Sequence, residues 1–544
     1  MPDAPAFDYV IVGAGSAGCV LADRLSASGR HRVLLLEAGG EDEDKNIHVP
    51  AAFHKLFGGP SDWDYWTEPQ AHLGGRRLYQ PRGKTLGGSS SINAMIYVRG
   101  HPADYDGWAE AGCDGWAWAD VLPYFKRSEG QQRFDDDPAH GTDGPLVVSG
   151  QRHPNRLTER FVEAGVELGY GRNEDFNSGE QDGFGLYQVT QKGGARWSAA
   201  RAFLQPARSR PNLEVWTGAH VLRVVLDGGR ATGVEVERDG ERQRVRARRE
   251  TVLAAGAFGS PHLLMLSGIG PAAHLREHGV EVACDAPGVG ENLQDHLVHG
   301  VTRRTTDPGT LDLAESLGRV GRNLFDYVVR KTGPFTSNVA EGGAFVRSSP
   351  GLAAPDVQYH FGPAFFLSHG ARNPIGETGY TVGGLVLTPE SRGTVRLAGP
   401  DGRDKPLVDP RYFSDERGED LRRSVWAFRL AQRIADADAF ADVNAGPYEP
   451  ERVLESDDEI GPFLRAHSET LYHPVGTCRM GADPGAVLDP ALRVRGVRNL
   501  RVADASAMPT IPRGNTNAPT IMVAEKAADL ILAAEPVAAE AAAV

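Results

Sequence analysis

The chain has 544 residues and a hydrophobic content of 40%, too long for one compact core and apolar enough for two intertwined ones. A formal net charge of -14 and a pI near 5.7 disfavour nucleic acid or an anionic membrane as partner, because both are negative surfaces that recruit basic patches. No uninterrupted apolar stretch is long enough to span a bilayer, and the first predicted strand begins almost at Met1, so neither a transmembrane segment nor a cleavable signal is expected and the location reads as cytoplasmic.

The first predicted element is a nucleotide grip. Asp8 to Val12 reads as a buried strand feeding Gly13-Ala14-Gly15-Ser16-Ala17-Gly18, and a helix follows from about Ser16 to Ser28. A second parallel strand, Arg32 to Leu36, ends on Glu37 about 20 residues after the third glycine. Gly13 permits the tight turn, Gly15 lets the backbone approach a pyrophosphate, and Gly18 lets helix and strand close. The helix N-terminus, with Ser16 and Ala17, offers amide N–H groups and a positive dipole to phosphates. Glu37, with Ala38 beside it, would accept ribose hydroxyls and leaves little room for the extra phosphate of NADP.

A run of glycines and hydroxyls follows, Pro81-Arg82-Gly83-Lys84-Thr85-Leu86-Gly87-Gly88-Ser89-Ser90-Ser91-Ile92-Asn93-Ala94-Met95, and its scarcity of large side chains invites close backbone approach to a ligand. Val221 to Val245 alternates apolar and polar residues around Asp227-Gly228-Gly229 and Asp239-Gly240, which predicts hairpins. It leads into a buried strand, Thr251 to Ala257, and a helix that ends at Ser267-Gly268-Ile269-Gly270. Alternating runs at Val357–Phe361 and Tyr380–Leu387 predict a sheet supporting a substrate pocket. Asn499 to Asp504 is a short strand ending in an acid, and the last helix is expected from Pro519, a residue suited to a first helical position. The Ala-rich tail from Ala533 reads as frayed helix or disorder. Cys19, Cys113, Cys284 and Cys478 are far apart, so they read as small buried hydrophobes rather than a disulfide framework or metal site.

The predicted fold is α/β: a Rossmann-like, discontinuous dinucleotide-binding domain of residues 1–150, 215–300 and 490–544, with a substrate-binding domain of residues 151–214 and 301–489 inserted on an antiparallel sheet.

Four separated motifs carry a resemblance over nearly the whole chain. They are the Gly13–Gly18 turn with Glu37; Gly83 to Asn93; Gly256-Ala257-Phe258-Gly259-Ser260-Pro261 through Gly270; and His473-Pro474-Val475-Gly476-Thr477-Cys478-Arg479-Met480-Gly481 with Gly514-Asn515-Thr516-Asn517 downstream. In these the chain resembles the glucose–methanol–choline family of FAD-dependent oxidoreductases, most of all its bacterial choline- and alcohol-dehydrogenase branch. The resemblance implies FAD as cofactor, a small alcohol as substrate and O₂ or a quinone as electron acceptor. It places Trp66, Thr85, Gly87, Gly88, Asn93, Ala94, Met95, Val221, Ala255, Asp504, Ala505 and Asn517 at the cofactor. Choline oxidases tether the flavin through a histidine at the place of Ile92, so the FAD of this chain is expected to be non-covalent.

In such an enzyme FAD accepts a hydride at flavin N5, and the protein must remove the hydroxyl proton. A histidine suits that task, and the resemblance makes His473 the base and Asn517 its partner. Asn517 could equally be a plain N-cap of the last helix. Tyr472, His360 and Phe366 are pocket candidates or core aromatics, and Trp63 and Trp66 pack either on the flavin or on the fold. His101, His153 and His296 read as structural or surface residues, and Glu341 as a partner for a cation or a solvated loop acid.

Oxidation of a primary alcohol is the leading expectation and choline is the runner-up. A quaternary ammonium needs an aromatic cage; by the resemblance a cage tryptophan falls at Ala340, while Phe365-Phe366-Leu367 suits an uncharged alcohol. Fatty-acid photodecarboxylases lack the His-Pro pair and use a cysteine in the inserted domain, whereas this chain has His473-Pro474 and no cysteine between Cys284 and Cys478. Plant-type hydroxynitrile lyases carry secretory signals. A flavin-binding protein without turnover would be expected to lose the base.

Overall fold

The computed structural model describes residues 4–134 and 136–534, so most of the Ala-rich tail lies outside the described residues. Two seven-stranded sheets organise the chain. In the first, Ala6–Val12 pairs in parallel with Val33–Leu36 on one side and with Glu241–Leu253 on the other. All but Ala6 and Asp8 of the first strand, and all of Val33–Leu36, are buried, because helices cover a parallel sheet on both faces. The predicted hairpins are the strands Ala219–Asp227, Arg230–Arg238 and Glu241–Leu253, paired antiparallel in succession. Leu500–Val502 adds in parallel to the end of Glu241–Leu253, which brings Asp504 beside the start of the helix Gly256–Leu266.

The helices Ser16–Ser26 and Asn517–Ala533 pack against each other although they lie at opposite ends of the sequence. The buried Glu525 carboxylate joins them by receiving Arg24 Nε at 2.9 Å and Arg127 Nε at 2.8 Å. The last helix starts two residues before the expected Pro519, with Thr516 at its N-cap, so Asn517 is its first residue and not its cap.

The second sheet is antiparallel throughout and runs in the order Asn444–Glu449, Leu297–Thr305, Gly379–Val386, Val357–Gly362, Gly342–Val346, Gly183–Leu186. The helix Glu419–Ala435 packs on Gly379–Val386 and Leu297–Thr305. The separation between the two bodies differs from the expected boundaries at particular places. Leu213–Trp216 is an edge strand of the first sheet, beside Val33–Leu36. Val395, Val408, Cys478 and Leu488 belong to the core around the first sheet, although all four fall in the stretch expected to be inserted.

Candidate active site

One continuous cavity runs from the Gly13 turn to the face of the second sheet. At its nucleotide end Gly13 adopts φ 99°, and a Cβ there would meet Ala254 O at 2.6 Å, so the turn admits only glycine. Gly18 lies so close to the turn that an added Cβ would stand 1.8 Å from Gly13 O. No side chain caps the helix Ser16–Ser26, whose N-cap is Gly15, and Gly15, Ser16 and Ala17 line the cavity. Glu37 is buried at the end of its strand, and its two oxygens receive Ala14 N and Gly39 N, each at 2.8 Å. Burial pushes its carboxyl up to about 7.

Of the other cofactor candidates, Ala38, Gly88, Asn93, Ala94, Met95, Val221, Ala255, Asp504, Ala505 and Asn517 line the cavity, and Ile92 lines it without any group that could form a tether. Asp504 spends both oxygens within the protein, on Gly256 N at 2.8 Å and Ser506 N at 2.8 Å as well as two serine hydroxyls. Thr85 and Gly87 stand behind the wall: Thr85 Oγ1 donates to Gly40 O at 3.1 Å, and Gly87 N to Ala14 O at 2.8 Å. Trp66 is a correction. It is 50% exposed and ties its indole N–H to Asp64, while its neighbours Trp63 and Tyr65 reach the cavity. Residues on alternate sides of an extended strand face opposite ways.

At the other end lies His473, 7% exposed. Its backbone N–H donates to Asp295 Oδ1 at 2.8 Å, and the preceding Tyr472 is held at φ 70° with its N–H on Thr470 Oγ1. His473 Nδ1 lies 2.9 Å from His296 Nδ1, and His296 Nε2 lies 3.0 Å from Leu387 O. A carbonyl can only accept, so His296 carries its proton on Nε2. Burial lowers His296 to about 4, so it is neutral and its Nδ1 accepts. His473 must then carry its own proton on Nδ1. Desolvation, with His296, His360 and Arg82 nearby, lowers His473 well below its ordinary value, so at neutral pH Nε2 is an unprotonated acceptor.

That nitrogen faces Asn515 Nδ2 at 3.1 Å. Asn515 Oδ1 receives Gln358 Nε2 at 3.3 Å, which sets the amide so that its donor side points at the histidine. Asn517, the expected partner, instead accepts Ser16 Oγ at 2.7 Å and joins the last helix to the nucleotide turn. The correction is a matter of helix phase: Asn515 precedes the helix and reaches into the cavity, whereas Asn517 is already its first residue. His296, expected as a structural or surface residue, is fully buried behind the cavity wall and holds the ring of His473 through its Nδ1. Its signal was the polar run Glu291-Asn292-Leu293-Gln294-Asp295-His296 just before an apolar strand. Glu341 is neither a cation partner nor solvated: it is 1% exposed and accepts Asn155 N, Thr158 Oγ1 and Ser337 Oγ at 2.6–2.8 Å. His360, Phe366 and Tyr472 do line the cavity, whereas His101 and His153 do not. No group of residues suited to a metal ion occurs among the described residues.

Profiles of the GMC oxidoreductase family match residues 7–298 and 389–524. The chain belongs to the GMC oxidoreductase family. It is 47% identical over 532 residues to an alcohol dehydrogenase [acceptor] of Pseudomonas putida, covering 97% of this chain and 96% of that one. It is 45% identical over 543 residues to an oxygen-dependent choline dehydrogenase of Brucella suis, covering 98% and 96%. Among solved structures, pyridoxine 4-oxidase from Mesorbium loti aligns with a TM-score of 0.87 at 37% identity, covering 96% of this chain and 98% of that one. Formate oxidase of Aspergillus oryzae aligns with a TM-score of 0.91 at 29% identity, covering 98% and 99%. This GMC oxidoreductase is thus an FAD-dependent oxidoreductase acting on CH–OH donors. The glycine turn without a side-chain cap, buried Glu37 and the continuous cavity leading to His473 fit that cofactor.

Proposed function

We propose that this GMC oxidoreductase oxidises an uncharged primary alcohol to the aldehyde, with His473 as the base. The observation that carries this reading is the chain Leu387 O, His296, His473, which leaves a lone pair on a neutral Nε2 at the cavity wall. When bound, FAD supplies the hydride acceptor. His473 Nε2 takes the hydroxyl proton, and Asn515 Nδ2–H donates to the substrate oxygen and orients it.

The rest of the pocket suits an apolar substrate. Phe53, Phe57, Val298, Val339, Phe366 and Leu367 form its walls, and Gly300, Gly362 and Gly383 withhold side chains where the second sheet faces the substrate. Choline is less suited. Ala340 offers no ring to a cation, Glu341 is turned away, and the sheet carboxylates Glu449 and Glu469 are engaged with Arg372 and Arg76. Anaerobic addition of a neutral primary alcohol should bleach the flavin absorbance, and choline should do so far more slowly. Blue light with a carboxylic acid should give no alkane. Alkane formation without alcohol-driven bleaching would overturn the reaction class.

A further inference from the structure

The segment Leu317–Lys331 departs from the way surface helices are normally built. It is helical from Val320 to Phe325 and continues as a π-turn from Asp326 to Arg330. A surface helix buries its apolar stripe and shows its polar face to water. Here Asn323 and Tyr327 point inward. Asn323 is 3% exposed and donates to Ala314 O at 2.8 Å, and Tyr327, four residues on, places its hydroxyl on His48 O at 3.3 Å and its ring against Phe335. Leu317, Val320, Leu324, Phe325, Val328 and Val329 face outward with exposures from 36% to 100%. The spacing of Val320, Leu324 and Val328, with Phe325 and Val329 beside them, makes one continuous ridge.

The ridge is fringed by cations. Arg319, Arg322, Arg330 and Lys331 flank it, against only Asp326 within the segment and Glu315 just before it. Glu315 is bridged to Lys55 and Asp326 to Arg330, which leaves the fringe positive in a chain whose total charge is -14. Whole-chain charge argued against an anionic surface as partner, yet charges act within about 8 Å in physiological salt, so the local fringe decides.

We propose that this ridge docks the enzyme on the surface of an anionic phospholipid bilayer. The apolar side chains would enter the acyl boundary while the arginines and lysine meet lipid phosphates, as an interfacial helix does. No helix among the described residues is long and apolar enough to cross a membrane, so the attachment is peripheral. A second copy of this chain fits less well, because a two-fold contact through the ridge would set each cationic fringe near its own image. The position of the ridge gives the docking a use. Pro334–Thr336, which follows the helix, packs on the turn Pro50–Leu56, and Phe53 of that turn lines the substrate cavity. An apolar alcohol dissolved in the bilayer would therefore enter near the pocket, although the docking itself does not depend on the reaction assigned.

Sedimentation of the FAD-loaded protein with phosphatidylcholine vesicles, with and without phosphatidylglycerol, tests this. Wild type should pellet with the anionic vesicles at low salt and should be released by high salt or by omitting the anionic lipid. A variant carrying Leu324→Ser, Phe325→Ser and Val328→Ser should bind at least about tenfold more weakly while reducing its flavin with dissolved alcohol as wild type does. A variant carrying Arg322→Glu and Lys331→Glu should lose binding to anionic vesicles. Wild-type protein that stays in the supernatant at low salt, or either variant pelleting as well as wild type, overturns the proposal. So does a wild-type dimer in ultracentrifugation that ignores vesicles and dissociates in the serine variant.

Discussion

Asn515 Nδ2 lies 3.1 Å from His473 Nε2, whereas Asn517 Oδ1 accepts Ser16 Oγ at 2.7 Å. The two asparagines are two residues apart in one motif and touch different groups, one the proposed base and the other the cofactor turn. Asn515→Ala should therefore slow flavin reduction by removing an orienting hydrogen bond of about 1–3 kcal/mol, with FAD retained. Asn517→Ala should chiefly lower FAD occupancy. Equal kinetic losses in both, measured by stopped-flow reduction and flavin content, would contradict this division.

His296 offers a separate test of the tautomer. Glutamine at that position can both accept from His473 Nδ1–H and donate to Leu387 O, so His296→Gln should keep most of the rate. His296→Leu can do neither and should slow flavin reduction by about 5- to 150-fold, the cost of one buried hydrogen bond. If glutamine is no better than leucine, the ring of His473 is not held through this bond.

The pH dependence follows from the same burial. The neutral imidazole is the active form, and its folded pKa is lowered, so protonation competes only at acidic pH. The rate of flavin reduction should be flat above about 6.5 and fall only well below it. A half-maximal rate at or above 6.5 would show that His473 is solvated or is not the base.

Ile92 stands where a tether would form, so acid or heat should release free yellow flavin, and flavin left on denatured protein would exclude that. Glu37→Ala should lower FAD occupancy on dilution, since a buried ribose would lose its carboxyl acceptor, worth about 1–3 kcal/mol.

The nucleotide grip was legible in the sequence because its parts are local: Gly13, Gly18 and Glu37 lie within one strand–helix–strand unit, where spacing alone sets geometry. The antiparallel sheet was legible at Val357 and Tyr380 from alternation. What escaped depends on tertiary placement. Trp66 and Trp63 are three residues apart, and only the pairing of Tyr65–Trp66 with Tyr79–Gln80 decides which ring faces outward. Asn515 and Asn517 are both amides, and the starting residue of the helix chooses between them. His296 meets His473 across 177 residues of chain, and no periodicity reports such a contact.

The central claim is that His473 removes the hydroxyl proton, and single-turnover reduction of the FAD-loaded His473→Ala variant by a primary alcohol tests it most directly. The rate should fall by about 10²–10⁴-fold, the usual scale for a general base, with FAD still bound and the acidic limb of the pH profile gone. Reduction at the wild-type rate would mean that His473 is only a buried histidine beside the cofactor.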